Sequence, residues 1–194
     1  MKIGIIGAGH IGGTLGELLA KQGHDVLYGV REGSGAPGPK GSIAEAAAHG
    51  EVVILAVPWG AAEVAIAAAG DLSGKILIDT THRGGDAGQS GAEKIAGWAP
   101  GARVVKSFNQ AGWETLKEPV IGGQRAVMFA AGDDEAARKA TIGLGEELGL
   151  QMVDAGPLEN ARLLESLASL WIYLAFAGGQ GRDFAFGLLR EGGQ

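Results

Sequence analysis

Cysteine is absent from all 194 residues, which excludes disulfides, thiolate zinc sites and a cysteine nucleophile together. An excess of positive charge is missing as well: 16 Lys and Arg stand against 22 Asp and Glu, a formal net charge of −6. Nucleic-acid-binding domains usually carry basic patches, so that class of partner is disfavoured. Long hydrophobic runs are also lacking. The longest, Leu167 to Ala177, has 11 residues with a serine inside it, well short of the ~20 that span a bilayer. Met1-Lys2 runs straight into Ile3-Gly4-Ile5-Ile6, without the apolar core and small-residue cleavage site of a secretory signal. The expectation is a soluble, cytoplasmic protein with no membrane partner.

What the chain has in excess is glycine, 36 of 194 residues, well over twice the usual ~7%. The glycines do not recur at every third position, so a collagen-like repeat is ruled out. Hydrophobic residues make up 46% and charged residues 20%, close to an ordinary globular domain and enough for a sizeable core. At about 100–200 residues per domain, the length fits one domain, or one with a short appendage.

Short β-branched runs alternate with helical patterns, the signature of βαβ units and a parallel sheet. Strands are expected at Lys2–Ile6, Asp25–Tyr28, Val52–Val57, Lys75–Asp79, Arg103–Ser107, Ala126–Ala131 and Gln151–Asp154. Val52 to Val57 is apolar without alternation, as in a strand covered on both faces. Helices are expected at Ile11–Gln22, Ile43–His49, Ala61–Ala69, Ala92–Trp98, Gly112–Leu116 and Asp134–Leu148, with Asp133 as N-cap of the last and Gly149 as its stop. Glu32–Gly41 and Arg83–Gly91, rich in Gly, Pro and Ser, read as loops. Both follow strands, where an open α/β sheet binds ligands. Beyond Gly156-Pro157, Leu158–Ala177 reads as one long helix with a short helical tail to Arg190. The expected division is a dinucleotide-binding domain over 1–156 and a helical segment over 157–194 that serves a dimer contact or the substrate pocket. That segment is too short to be an independent domain.

Gly7-Ala8-Gly9-His10-Ile11-Gly12 is a G-x-G-x-x-G directly after a strand and opening a helix, the context that a dinucleotide-binding fingerprint requires. Gly7 permits the tight turn. Gly9 lets the backbone approach a pyrophosphate on the helix N-terminus, with His10 and Ile11 beside it. Gly12, extended by Gly16, lets the helix pack closely on the sheet. The fold expected is therefore α/β: a doubly wound, parallel-sheet Rossmann domain with a short C-terminal helical appendage. About 20 residues on, where Asp or Glu would take a ribose 2′-hydroxyl, the chain has Gly29, then Val30, Arg31 and Glu32. A guanidinium suits a 2′-phosphate, so Arg31 points to NADP rather than NAD; a solvated loop charge is the alternative.

Ala56-Val57-Pro58-Trp59 closes the buried strand that borders the nicotinamide half in this fold. Pro58 fixes the chain there, and Trp59 either walls the cofactor or caps the following helix. Thr80 and His82 follow the next strand, and Lys106-Ser107-Phe108-Asn109 ends the one after it. His82 and Lys106 are the evident proton donors at that edge. His10, His24 and His49 do not cluster with carboxylates, so no metal is expected. Arg162 and Glu165, three apart, are spaced to pair on one helix face. Leu163, Leu164, Leu167, Leu170, Trp171 and Leu174 form a stripe too broad for one amphipathic face, which suggests burial against a second subunit.

The blocks IIGAGHIGG, VPW, VVKSFN, AAGDDEAA and DAGPLENARLLESLA, in that order from Met1 to Phe176, resemble the NADP-dependent oxidoreductase family typified by the deazaflavin (coenzyme F420)-dependent NADP reductase. The last block is the most specific. That family's 2′-phosphate site uses a Ser-Arg pair; this chain keeps Arg31 and has Val30 in the serine's place. The resemblance implies hydride transfer between NADP(H) and a flat, flavin-like acceptor. Ile11, Pro58 and Trp59 would wall one side, with Thr80, His82 and Asn109 near the acceptor. A deazaflavin takes hydride at one carbon and needs no strong protein acid, which suits a site without an evident catalytic dyad. Reduction of another small acceptor (an imine, a quinone, a ferric chelate through a flavin) and a non-enzymatic NADP-sensing module stay open as alternatives.

Overall fold

Ile3, Ile5 and Ile6 have no solvent exposure, and β1 (Lys2–Ile6), which carries them, lies inside a six-stranded sheet. The computed structural model describes residues 1–84, 88–189 and 191. The other strands of the main sheet are β2 (Asp25–Gly29), β3 (Lys40–Gly41), β4 (Val52–Leu55), β5 (Ile76–Asp79) and β6 (Arg103–Lys106), in the order β3-β2-β1-β4-β5-β6. Every pairing is parallel. The chain winds outward from β1 to β3, then returns to β1's other side with β4. This is the doubly wound Rossmann arrangement, with its topological switch between β1 and β4, where such folds bind ligands. A hairpin of β7 (Val120–Ile121) and β8 (Gln124–Arg125) leads into a parallel pair, β9 (Val127–Ala130) and β10 (Gln151–Asp154). A bridge between Lys106 and Ala131 joins that pair to the main sheet.

The helices are α1 (His10–Lys21), α2 (Ile43–His49), α3 (Ala62–Ala69), α4 (Gly91–Trp98), α5 (Trp113–Lys117), α6 (Glu135–Glu147) and α7 (Ala161–Ala175). Leu15 and Leu19 of α1 and Leu144 of α6 pack on one face of the sheet. Ala47 of α2, Ile66 of α3 and Ile95 of α4 pack on the other. Helix α7 belongs to both layers: Ala161 sits in the second cluster and Trp171 in the first.

Several sequence expectations are corrected. Lys40–Gly41 is a strand inside the Gly/Pro-rich segment expected to be loop, and the β7–β8 hairpin is an addition. The N-cap of α6 is Asp134, whose carboxylate accepts from the Ala137 amide; Asp133 instead accepts from the Leu158 amide. Gly149 does follow α6 in the left-handed conformation, at φ +84°. Helix α7 stops at Ala175, and the expected helical tail is not helical among the described residues. Phe184 stacks on Trp171 at 5.4 Å between ring centroids, and the Val127 amide donates to the Phe186 carbonyl, so the tail is extended packing on the core. Arg190, where the tail was expected to end, and residues 85–87 of the Arg83–Gly91 loop lie outside the described residues. No helix among the described residues is long and apolar enough to cross a membrane.

Helix α1 approaches the sheet closely at Gly16, where a Cβ would lie 2.1 Å from the Tyr28 hydroxyl and 2.7 Å from Ile5 Cδ1. That hydroxyl donates to the Gly13 carbonyl at 3.2 Å, so the ring is not free to turn aside. Gly16→Ala should therefore destabilise the fold by about 1–3 kcal/mol, read from urea unfolding; an unchanged midpoint would show that α1 can shift without cost.

Candidate functional site

The turn from β1 into α1 uses its glycines for different reasons. Gly7 has φ +100°, a region that L side chains rarely adopt. A Cβ on Gly12 would lie 2.1 Å from the Gly7 carbonyl oxygen, so the turn itself forbids a side chain. Gly9 is different. Its backbone is extended at φ −73° and ψ −165°, and a Cβ there would meet nothing within 4 Å. The protein does not require a glycine at this position; a group approaching from outside would.

Gly9 is the N-cap of α1, with no side-chain cap and no acidic residue in the first turn. By contrast, α2 and α4 carry full capping boxes from Ser42–Glu45 and Ser90–Glu93, and α6 is capped by Asp134. The first amides of α1 and its positive dipole end are thus left for an anion. They border a cavity of about 850 Å³ over the switch between β1 and β4. Gly7, Ala8 and Gly9 form its floor, Arg31 and Ser34 one rim, and Ala56, Val57 and Pro58 the wall after β4. Its far end is apolar: Ile43, Ala61 and Val64 face it, and Val64 is 72% exposed. Ser34, Ile43 and the α3 face were not among the sequence candidates. The available signal was Ala61, Val64 and Ala68 at helical spacing, on the face opposite the buried Ala62, Ile66 and Ala69.

The remaining candidates are distributed around this cavity. His10 begins α1, exposed, with its ring stacked on Trp113 at 5.5 Å. Ile11 is half-buried against the first core layer. Arg31 is exposed at the rim. Trp59 does not line the cavity: its ring stacks on Trp98 at 5.4 Å, with the Arg83 guanidinium 5.9 Å from its centre. Thr80 is buried and donates to the Leu55 carbonyl at 3.0 Å, tying the ends of β4 and β5 together.

Further along the same sheet edge lies a buried ion cluster. Lys106, with no exposure, donates to Asp79 Oδ2 at 2.9 Å and to the Thr81 carbonyl. Its ammonium is 3.4 Å from Glu165 Oε1 of α7, which also accepts from the Gly91 amide at 2.8 Å. Lys106 is therefore held as an internal tie, where the sequence offered it as a proton donor at this edge. Arg162 does not pair with Glu165 either: it reaches Glu93 through two bonds of 2.8 and 2.6 Å, which with the Ser90 cap hold the Glu93 carboxyl down at about 2. Helix α7 is thus fastened to α4 by charge at two points.

His82 sits directly after this tie, half-buried. Its Nε2 is 3.5 Å from Ser169 Oγ of α7, and its buried Nδ1 has no hydrogen-bond partner. Burial, and then the nearby Lys106 charge, push its pKa below the ordinary imidazole value, so the ring is neutral at neutral pH. Asn109 Nδ2 lies 3.5 Å from the Leu164 carbonyl, and Asn109 Oδ1 accepts from Gln110. Thr80, His82 and Asn109 thus share one edge, between the cavity and α7. Among the described residues no three His, Asp or Glu side chains are grouped to hold a metal ion.

Compared with known proteins, residues 2–83 match the family described as NADP oxidoreductase, coenzyme F420-dependent. The F420-dependent NADP reductase of Methanothermobacter marburgensis is 31% identical, with 90% of this chain and 92% of that protein aligned. Metalloreductase STEAP3 of Rattus norvegicus is 30% identical across 86% of this chain, although the chain spans only 36% of that protein. Among solved structures, a candidate F420-dependent NADP reductase from Arthrobacter sp. fb24 superposes with a TM-score of 0.89 at 29% identity, over 98% of this chain and 100% of that one.

Replacing Lys106 by Met would leave Asp79 and Glu165 buried without their cation. Urea unfolding of Lys106→Met should show a loss of about 3–5 kcal/mol; a loss below roughly 1 kcal/mol would mean that the carboxylates are neutral or hydrated.

Proposed function

The chain belongs to the coenzyme F420-dependent NADP oxidoreductase family, and from that premise we propose that it is a cytoplasmic, homodimeric enzyme moving a hydride between NADP(H) and a flat, flavin-like acceptor, the deazaflavin coenzyme F420. The observation that carries the cofactor half is Gly9: a blank position that the fold does not need, at an uncapped helix start, facing a cavity of about 850 Å³. Gly7, Gly9, His10, Ile11 and Gly12 form or flank the pyrophosphate cradle. The amides at the start of α1 donate to the anion. The apolar far end, with Ile43 and Val64, suits the adenine ring, and Arg31 the 2′-phosphate. Ala56, Val57 and Pro58 direct the nicotinamide toward Thr80, and Trp59 supports that wall from behind through its stack on Trp98.

The nicotinamide ring supplies the hydride; the protein's part is placement and exclusion of water. We assign the acceptor to the edge formed by Thr80, His82 and Asn109, beneath α7. His82, half-buried and neutral at neutral pH, can hold an acceptor by a hydrogen bond but is a weak acid there. That favours an acceptor which takes hydride at carbon without an obligatory protonation by the enzyme. The proposed dimer contact is the outer side of α7 and its end, where Leu163 (66% exposed), Tyr173 and, just past the helix, Phe176 (each 60%) stand in solvent on one chain alone.

Three measurements test this. Gly9→Ala should leave stability within about 1 kcal/mol yet weaken NADPH binding at least roughly tenfold by calorimetry; unchanged affinity would remove the cradle. In an NADPH-oxidation screen over deazaflavin, flavin, quinone and imine acceptors, the deazaflavin should be the preferred acceptor, and His82→Ala should lose little with it. A loss on the order of 10²-fold would instead assign His82 as an acid and favour a carbonyl or imine substrate. Light scattering should give twice the 19.6 kDa chain mass; a clean monomer rejects the dimer.

A further inference from the structure

A second cavity, of about 300 Å³, opens beside the dinucleotide cavity and shares Val30, Arg31 and Ser34 with it. Glu32 also lines it, and from the opposite side come Lys40 and Ser42. Lys40 is nine positions beyond Arg31 in sequence, yet β3 returns it to the same place. Parallel pairing sets Lys40 opposite Tyr28, with the Tyr28 amide donating to the Pro39 carbonyl at 2.9 Å and the Val30 amide to the Gly41 carbonyl at 3.1 Å. The intervening segment is held down: a Cβ on Gly38 would lie 3.2 Å from the Tyr28 ring. The Lys40 ammonium crosses the cavity mouth and donates to the Ser34 carbonyl at 2.7 Å, which leaves two of its three N–H groups free to serve a ligand.

Charge decides what this cavity accepts. Arg31 and Glu32 cancel one another, so with those two alone it would offer no net attraction to an anion. Glu45, the other nearby carboxylate, is satisfied by the Ser42 amide and hydroxyl and does not line the cavity. Lys40 makes the lining net positive. Its position, at the ribose end of β2, is where a dinucleotide's 2′-substituent lies in this fold.

We infer that Lys40 is the second cation of the 2′-phosphate subsite and a determinant of the preference for NADP over NAD, standing in for the hydroxyl donor that Val30 cannot supply. This rests on the dinucleotide reading above. The test is calorimetric titration of NADPH and NADH into the wild type, Lys40→Gln and Lys40→Arg, with thermal unfolding alongside. The wild type should prefer NADPH. Lys40→Gln should lower NADPH affinity about tenfold while NADH affinity stays the same, and Lys40→Arg should keep most of the preference. An unchanged NADPH-to-NADH ratio in Lys40→Gln, or an equal loss of both, overturns the inference and leaves the dinucleotide site standing. Failure of the wild type to bind either dinucleotide overturns the site itself, and the inference with it.

Discussion

A lysine buried to zero exposure between two carboxylates is the fixed point of this molecule. Its attachments belong to β5, β6, the segment after β5, and α7, with the start of α4 joined through Glu165. A buried ion pair of this kind is weak evidence for net stability, because desolvation offsets much of the attraction. What it does supply is selectivity among arrangements: any slip of α7 along the sheet edge would leave a charge inside the protein with no partner. The Thr80–His82 segment and α7 are consequently set against one another within narrow limits, and the proposed acceptor edge inherits that definition. The Glu93–Arg162 pair repeats the fastening nearer the surface, where screening makes it weaker.

The other organising constraint is the β1–α1 turn, where three glycines of one motif serve separate purposes. Backbone conformation demands the first and packing the third, while the middle one is demanded by neither. A fingerprint of this sort is usually read as a unit. Asking what a methyl group would meet at each position separates the part that builds the turn from the part that leaves room for a ligand.

The main sheet was legible in the sequence because its strands are short apolar runs buried on both faces, of which Val52–Leu55 is the plainest, each followed by a helical pattern. What escaped depends on contacts distant in sequence. Lys40–Gly41 pairs through backbone groups, in a stretch whose prolines and glycines say only that it turns. Arg162 chose Glu93, 69 positions away, over Glu165 on its own helix, because Glu165 was already committed inside the protein. Trp59 follows the β4 wall in sequence, but the partner that holds its ring away from the cavity, Trp98, belongs to a helix whose docking no local pattern reveals. The glycine turn after β1 and the wall after β4 were readable because each closes a plain apolar strand, whereas Ser34, Ile43 and the α3 face join the same cavity only through the fold. The edge bearing Thr80, His82 and Asn109, set between β5, β6 and α7, was readable only as a list of residues.

The extended tail after α7 has its own consequence. By offering the Phe186 carbonyl to the Val127 amide and seating Phe184 on Trp171, it lies along β9 on the side away from β10. An unpaired strand flank is a template for a foreign chain, and here the next donors are taken as well, the Phe129 amide by Gln110 Oε1 and the Ala131 amide by the Lys106 carbonyl. The tail thus acts as a selvedge at one rung only, closing the Val127 amide at the end of a border that the rest of the protein already finishes.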